Sequence, residues 1–157
     1  MDDLEFLPAH EILSLIRQEK ISVKEVVAAL LERIRDVNDE INAFVRYDEE
    51  QLLFQAEKMD ETADRTRPLF GLPVTVKDNI EVEGIVSTGG IKDRSGHVPS
   101  TDATVVKRLR DAGAIIMGKT NCPAFCSGFE TENEIYGRTN NPYNLEKTVG
   151  SSSGGEA

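Results

Sequence analysis

Ala114-Ile115-Ile116-Met117 is an unbroken apolar run set between Gly113 and Gly118. A half-buried strand alternates apolar with polar residues. A continuous apolar run reads instead as a strand buried on both faces, as in sheets covered by helices on two sides. Just upstream, Val105, Val106 and Leu109 mark the buried face of a helix. Ser100 or Thr101 can cap it, and Asp102 falls in its first turn, where the helix dipole favours an anion. Gly113 suits the position past the helix end. Further upstream, residues 72–76 form a short strand entered through Gly71 and Pro73 and ending at Lys77. Strand, helix and strand in this order predict an α/β sheet with a right-handed crossover.

The chain before this unit is helical in pattern. Residues 8–19 carry Ile12, Leu15 and Ile16 on one face, behind Pro8 at a first helical position. Ser22-Val23-Lys24-Glu25 is a capping box opening a helix with Val26, Val27, Leu30, Leu31 and Ile34 on its apolar face, ending near Val37-Asn38. Residues 41–47 read as a strand or extended segment. Asp48-Glu49-Glu50-Gln51 opens another helix, expected through about Asp64. Residues 82–86 could form a further short strand around Gly84. Ser87-Thr88-Gly89-Gly90 is a turn whose glycines allow positive φ. Residues 118–144 are rich in loop, where binding groups tend to lie.

The chain has 157 residues, 39% hydrophobic and 29% charged, the profile of a folded domain with a real core. Its net charge of −10 argues against nucleic acid or anionic membrane as a partner. No apolar run approaches the roughly 20 residues of a membrane span. The acidic start, Met1-Asp2-Asp3-Leu4-Glu5, has no secretory pattern, so the expected location is cytoplasmic. Cys122 and Cys126 read as reduced thiols. His10 and His97 lack metal-site spacing to them, so no metal is expected.

Two stretches carry chemistry. Lys77 ends an apolar strand, and 75 positions later (152 − 77) Ser152 lies in Gly150-Ser151-Ser152-Ser153-Gly154-Gly155. By composition alone the second stretch is a flexible linker. A strand-end lysine and a Gly-flanked serine are together the residue types of a proton relay that could activate a nucleophile. A serine hydroxyl needs a base to become a nucleophile. A lysine serves as that base when neutral, and an intervening hydroxyl can relay the proton both ways.

From Gly71 onward the chain resembles the amidase signature family. The matching pieces are Gly71-Leu72-Pro73 leading to Lys77-Asp78-Asn79, then Ser87-Thr88-Gly89-Gly90, then Asp102-Ala103 leading to Arg108-Leu109-Arg110-Asp111-Ala112-Gly113-Ala114. Gly118-Lys119-Thr120-Asn121, Thr131-Glu132-Asn133, Asn141-Pro142 and Ser152-Ser153-Gly154-Gly155 follow in order. The resemblance implies N-terminal helices over residues 1–66. It implies, over 67–157, the first part of an α/β/α sandwich with a mixed, twisted sheet, incomplete in these residues. It makes Lys77 the catalytic lysine and Ser152 the bridging serine on a cis peptide, with Ser151 and Ser153 as second candidates. Cys126, Ser127, Gly128, Phe129 and Ser151 are the residues expected to touch substrate.

Three positions depart from the family pattern. Ser151 stands where glycine is general, Val149 where proline is common, and Ala124 where an acidic residue is frequent. The family's nucleophile falls about two dozen residues past the Ser-Ser-Gly-Gly motif, in a turn that also builds the oxyanion hole. The expectation is therefore an amidase that hydrolyses a small carboxylic amide without metal or organic cofactor. These residues lack the nucleophile and are expected to be inactive alone. One alternative is the A-type component of a glutamyl-tRNA amidotransferase, although Cys122-Pro123-Ala124-Phe125 and Glu156 look more like general or fatty-acid amidases. Another is a truncated, non-catalytic relative whose uncovered sheet favours self-association or a homo-oligomer.

Overall fold

The apolar run at residues 114–117 lies where its composition requires. In the computed structural model, which describes residues 4–62 and 65–157, β3 (Ile115–Thr120) is buried at every position. It is the middle strand of a three-stranded sheet, flanked by β1 (Phe44–Arg46) and β2 (Pro73–Lys77). β1 runs antiparallel to it, with Phe44 opposite Thr120 and Arg46 opposite Lys119. The bonds Gly71 N–H to Gly113 O, Ile115 N–H to Leu72 O and Asp78 N–H to Thr120 O advance in the same sense along both strands. β2 and β3 are therefore parallel, and the sheet is mixed. Between them runs α4 (Thr104–Asp111), as the strand–helix–strand order predicts.

The chain forms two compact units. The first takes residues up to Asp36, then Asp48–Val74 and Arg108–Met117. It contains α1 (Ala9–Arg17), most of α2 (Val23–Ile41) and α3 (Glu49–Asp60). Ile12, Ile16, Val23, Val26, Val27, Leu31, Ile34, Leu52 and Ala56 are all buried, so the three- and four-residue spacing does describe the packed face. The capping box closes as drawn: Ser22 N–H donates to Glu25 Oε2 at 2.7 Å, and Glu25 N–H donates to Ser22 Oγ at 3.0 Å. The bond from Ser22 N–H holds the Glu25 carboxyl below its usual pKa. A second cap comes from a distance, as the Asp60 carboxylate accepts from Val23 N–H at 2.8 Å and Lys24 N–H at 3.0 Å. Gly113 ends α4 at φ 98°, where a Cβ would press on the Phe70 backbone.

The second unit comprises Val37–Tyr47, Thr75–Lys107 and Gly118–Ala157. Short hairpins occupy the stretch read as loop: β4 (Glu132–Asn133) with β5 (Gly137–Arg138), and β6 (Asn140–Asn141) with β7 (Asn144–Thr148). Their order comes from amide side chains. Asn133 Nδ2 donates to Asn121 Oδ1 and to the Cys122 carbonyl, both at 2.8 Å. Its Oδ1 accepts from the N–H groups of Ile135 and Tyr136, both at 2.9 Å.

Several expected boundaries move, each for a local reason. α2 continues past Asn38 to Ile41, because the Asn38 side chain points forward. It donates to Phe44 O and accepts from Ala43 and Phe44 N–H, turning the chain into β1 without breaking the helix. α3 stops at Asp60, and residues 63–64 of its expected span lie outside the described residues, as do residues 1–3. Residues 82–86 make one bridge, Val82 to Ile85, across Gly84 at φ 76°, and so form a turn. α4 begins at Thr104, later than a cap at Ser100 or Thr101 would place it. Asp102 instead accepts from Glu83 N–H at 2.8 Å, and Ala103 N–H goes to Glu81 O. Val105 is consequently half exposed, while Val106 is buried.

Candidate active site

Lys77 sits at the end of β2, and its Nζ donates to Ser152 Oγ at 2.9 Å. Both residues are half-buried. The Ser/Gly run that carries Ser152 is seated, not linker-like. Thr131 Oγ1 donates to Gly150 O at 2.7 Å and accepts from Gly154 N–H at 3.0 Å. Ser151 Oγ donates to Gly128 O. Glu156 N–H returns to Ser153 O at 2.9 Å. A Cβ on Gly155 would collide with the Asn121 backbone, so glycine here permits close approach. The peptide bond between Ser151 and Ser152 is cis.

The turn that follows Lys77 is held from beneath by a second lysine. Ile80 N–H donates to Lys77 O at 2.9 Å, closing the turn. The Lys119 side chain, fully buried, donates from Nζ to the carbonyls of Asp78 (3.2 Å) and Ile80 and to Ser87 Oγ (2.9 Å). Burial pushes the Lys119 pKa down to about 8, against weaker upward pulls from Asp78, Cys122 and Glu81. Asp78 Oδ2 accepts from Thr88 N–H and Thr88 Oγ1, so the Ser87–Gly90 turn and the lysine turn are locked together. Burial likewise pushes the Cys122 thiol up to about 12.

Of the residues read as substrate-contacting, Ser151 and Gly128 are brought together by their hydrogen bond. Cys126, at φ 56°, is half-buried, and its N–H donates to Pro123 O. Ser127 and Gly128 are exposed, and Phe129 is 96% exposed. Of these residues, Gly128 is the one that a hydrogen bond joins to the Ser/Gly turn. Ser153 is exposed. Sequence reasoning missed Lys119, Thr131 and Glu156 as supports of the site. The one available signal is a lysine continuing an apolar strand, which buries its charge if the strand runs on. Among the described residues no group of three or more His, Cys, Asp or Glu side chains converges. No helix among them is long and apolar enough to cross a membrane.

A lysine at a parallel strand's end, donating to a serine in a glycine-lined turn, defines an α/β protein built around a lysine–serine pair. The chain belongs to the amidase signature family: the Amidase family model matches residues 25–157. It is 40% identical over 165 aligned residues to Fatty-acid amide hydrolase 2 of Homo sapiens, covering 99% of this chain and 31% of that protein. It is 41% identical to the A-type component of the glutamyl-tRNA(Gln) amidotransferase of Streptomyces coelicolor, covering 100% of this chain and 32% of that one. A bacterial aryl acylamidase of the amidase signature family shares the fold with a TM-score of 0.88 at 27% identity; the alignment covers 96% of this chain and 32% of that one. The chain thus spans about a third of the length of the curated relatives it matches.

Proposed function

We propose that these residues supply the lysine and the bridging serine of an amide-hydrolysing relay. The observation that carries the reading is the 2.9 Å contact of Lys77 Nζ with Ser152 Oγ, 75 positions apart in a member of the amidase signature family. Lys77 serves as the base, taking a proton through Ser152 from a nucleophilic serine. The same path run backwards protonates the leaving amine. The nucleophile and its oxyanion hole are supplied outside residues 1–157. The substrate is a carboxylic amide, entering past Cys126, Ser127, Gly128, Phe129 and Ser151. In this reading residues 1–66 are a helical lead-in, 67–157 carry the catalytic segment, the protein works in the cytoplasm, and no metal or cofactor takes part.

Ammonia release from benzamide and hexanamide tests the reading. A chain that also carries the nucleophile is expected to lose about 10³-fold or more in kcat on Lys77→Ala or Ser152→Ala. Residues 1–157 alone are expected to release none. Turnover by residues 1–157 that Lys77→Ala abolishes would overturn the assignment of the nucleophile. A second reading, ammonia supply from glutamine within a multisubunit amidotransferase, is favoured by the 41% identity to an amidotransferase component. Glutaminase activity that appears only with partner proteins would select it.

A further inference from the structure

The two oxygens of Glu156 have separate partners on neighbouring strands. Thr75 Oγ1, on β2, donates to Oε2, and Thr120 Oγ1, on β3, donates to Oε1. Thr75 stands two residues before Lys77, so the two side chains leave the strand on the same face. Glu156 stands four residues after Ser152, beyond Gly154 and Gly155. The Ser/Gly turn therefore meets one face of β2 twice, with Ser152 at Lys77 and Glu156 at Thr75.

A run of six small residues loses much backbone freedom when it is fixed in one arrangement. Thr131 holds the run at Gly150 and Gly154 and Ser151 holds it at Gly128, but the Lys77–Ser152 bond is the one that ties it to β2 before Glu156 is reached. Hydrogen bonds to a carboxylate are roughly twice as strong as neutral ones, and here there are two. Each also reaches a rigid strand, the better base for holding a reacting group within about 0.5 Å of its working position.

We propose that Glu156 is a positioning residue that accepts from Thr75 and Thr120 and so keeps Ser152 within hydrogen-bond reach of Lys77. This rests on the reading of Lys77 and Ser152 as a relay pair. The carboxylate clamps the far end of the turn, Gly154 and Gly155 permit its close approach to Thr131 and Asn121, and Ser152 is presented from the stretch before them.

The test uses residues 1–157 with ¹⁵N-labelled lysine, following the Lys77 Nζ signal together with amide exchange across 151–157. Ser152→Ala is expected to shift the Lys77 signal, which checks the pair itself. Glu156→Ala and Thr75→Val are expected to shift it in the same direction and to speed exchange across the turn about tenfold, with Glu156→Gln intermediate. Thr75→Ser, which keeps the hydroxyl, is expected to restore both. A Lys77 signal unmoved by Glu156→Ala and Thr75→Val, while Ser152→Ala moves it, would overturn the clamp and leave the pair standing. The same holds if Glu156→Ala only lowers the unfolding temperature. A Lys77 signal that Ser152→Ala itself leaves unmoved would remove the pair, and the clamp with it.

Discussion

Different physics holds each of the two units of this chain in shape. In the first, the buried side chains are aliphatic and aromatic, from Ile12 and Val26 to Phe70 and Met117. In the second they are largely polar. Every buried polar or charged side chain among the described residues belongs to it: Asp78, Ser87, Thr88, Lys119, Thr120, Asn121, Thr131, Asn133 and Thr139. An apolar core tolerates reshaping if its volume is kept. A buried polar network tolerates little, because each lost partner leaves another group unsatisfied. The candidate catalytic pair lies in the second kind of unit, where positions are fixed by directed bonds.

Four substitutions or conditions bear on this contrast, from the largest expected effect downward. Asn133→Leu keeps the branched shape but removes four hydrogen bonds, with an expected cost of about 4 kcal/mol in denaturant unfolding. A cost below about 1 kcal/mol would dissolve the distinction between the units.

Lys119 gives the next effect, through pH. Its pKa is about 8 in the folded chain, against an ordinary value of 10.5. Between those values the unfolded chain binds more protons, so stability rises with pH across the window, by up to about 3 kcal/mol, and the cost of the buried charge is fully present below pH 8. Cys122 acts in the opposite sense. It keeps its proton up to about 12, against an ordinary value of 9.0, so it removes stability as pH climbs from 9. The rise should therefore be cleanest from pH 8 to 9, and Lys119→Met should flatten it.

Leu31→Met, in the first unit, conserves volume and should cost less than about 1.5 kcal/mol. Asp60→Ala removes the distant cap of α2 and should cost about 1 kcal/mol, read as a lower unfolding midpoint. If Leu31→Met instead cost as much as Asn133→Leu, burial alone would explain both units.

The same contrast explains what could be read from the sequence. Helix faces such as Val23, Val26, Val27 and Leu31 follow a period, and the capping box at Ser22 and Glu25 is local, so both are legible residue by residue. The apolar strand at 115–117 is legible because it lacks polar interruption. Asp60 capping a helix 37 residues away leaves no local mark. Nor do Asn121 and Asn133, whose amides look like loop residues until the fold brings them together. Lys77 and Ser152 could be paired from their family resemblance. That the Ser/Gly run would be seated depended on Thr131, Gly128 and Glu156, none of which announces a partner in the sequence.

The coupling of Lys77 with Ser152 is where the relay is most directly exposed to test. In a chain that also carries the nucleophile, kcat for benzamide can be measured for Lys77→Ala, Ser152→Ala and the double variant. A shared relay predicts that the double variant is no slower than the worse single one. Losses that multiply, each substitution acting in full on top of the other, would contradict it.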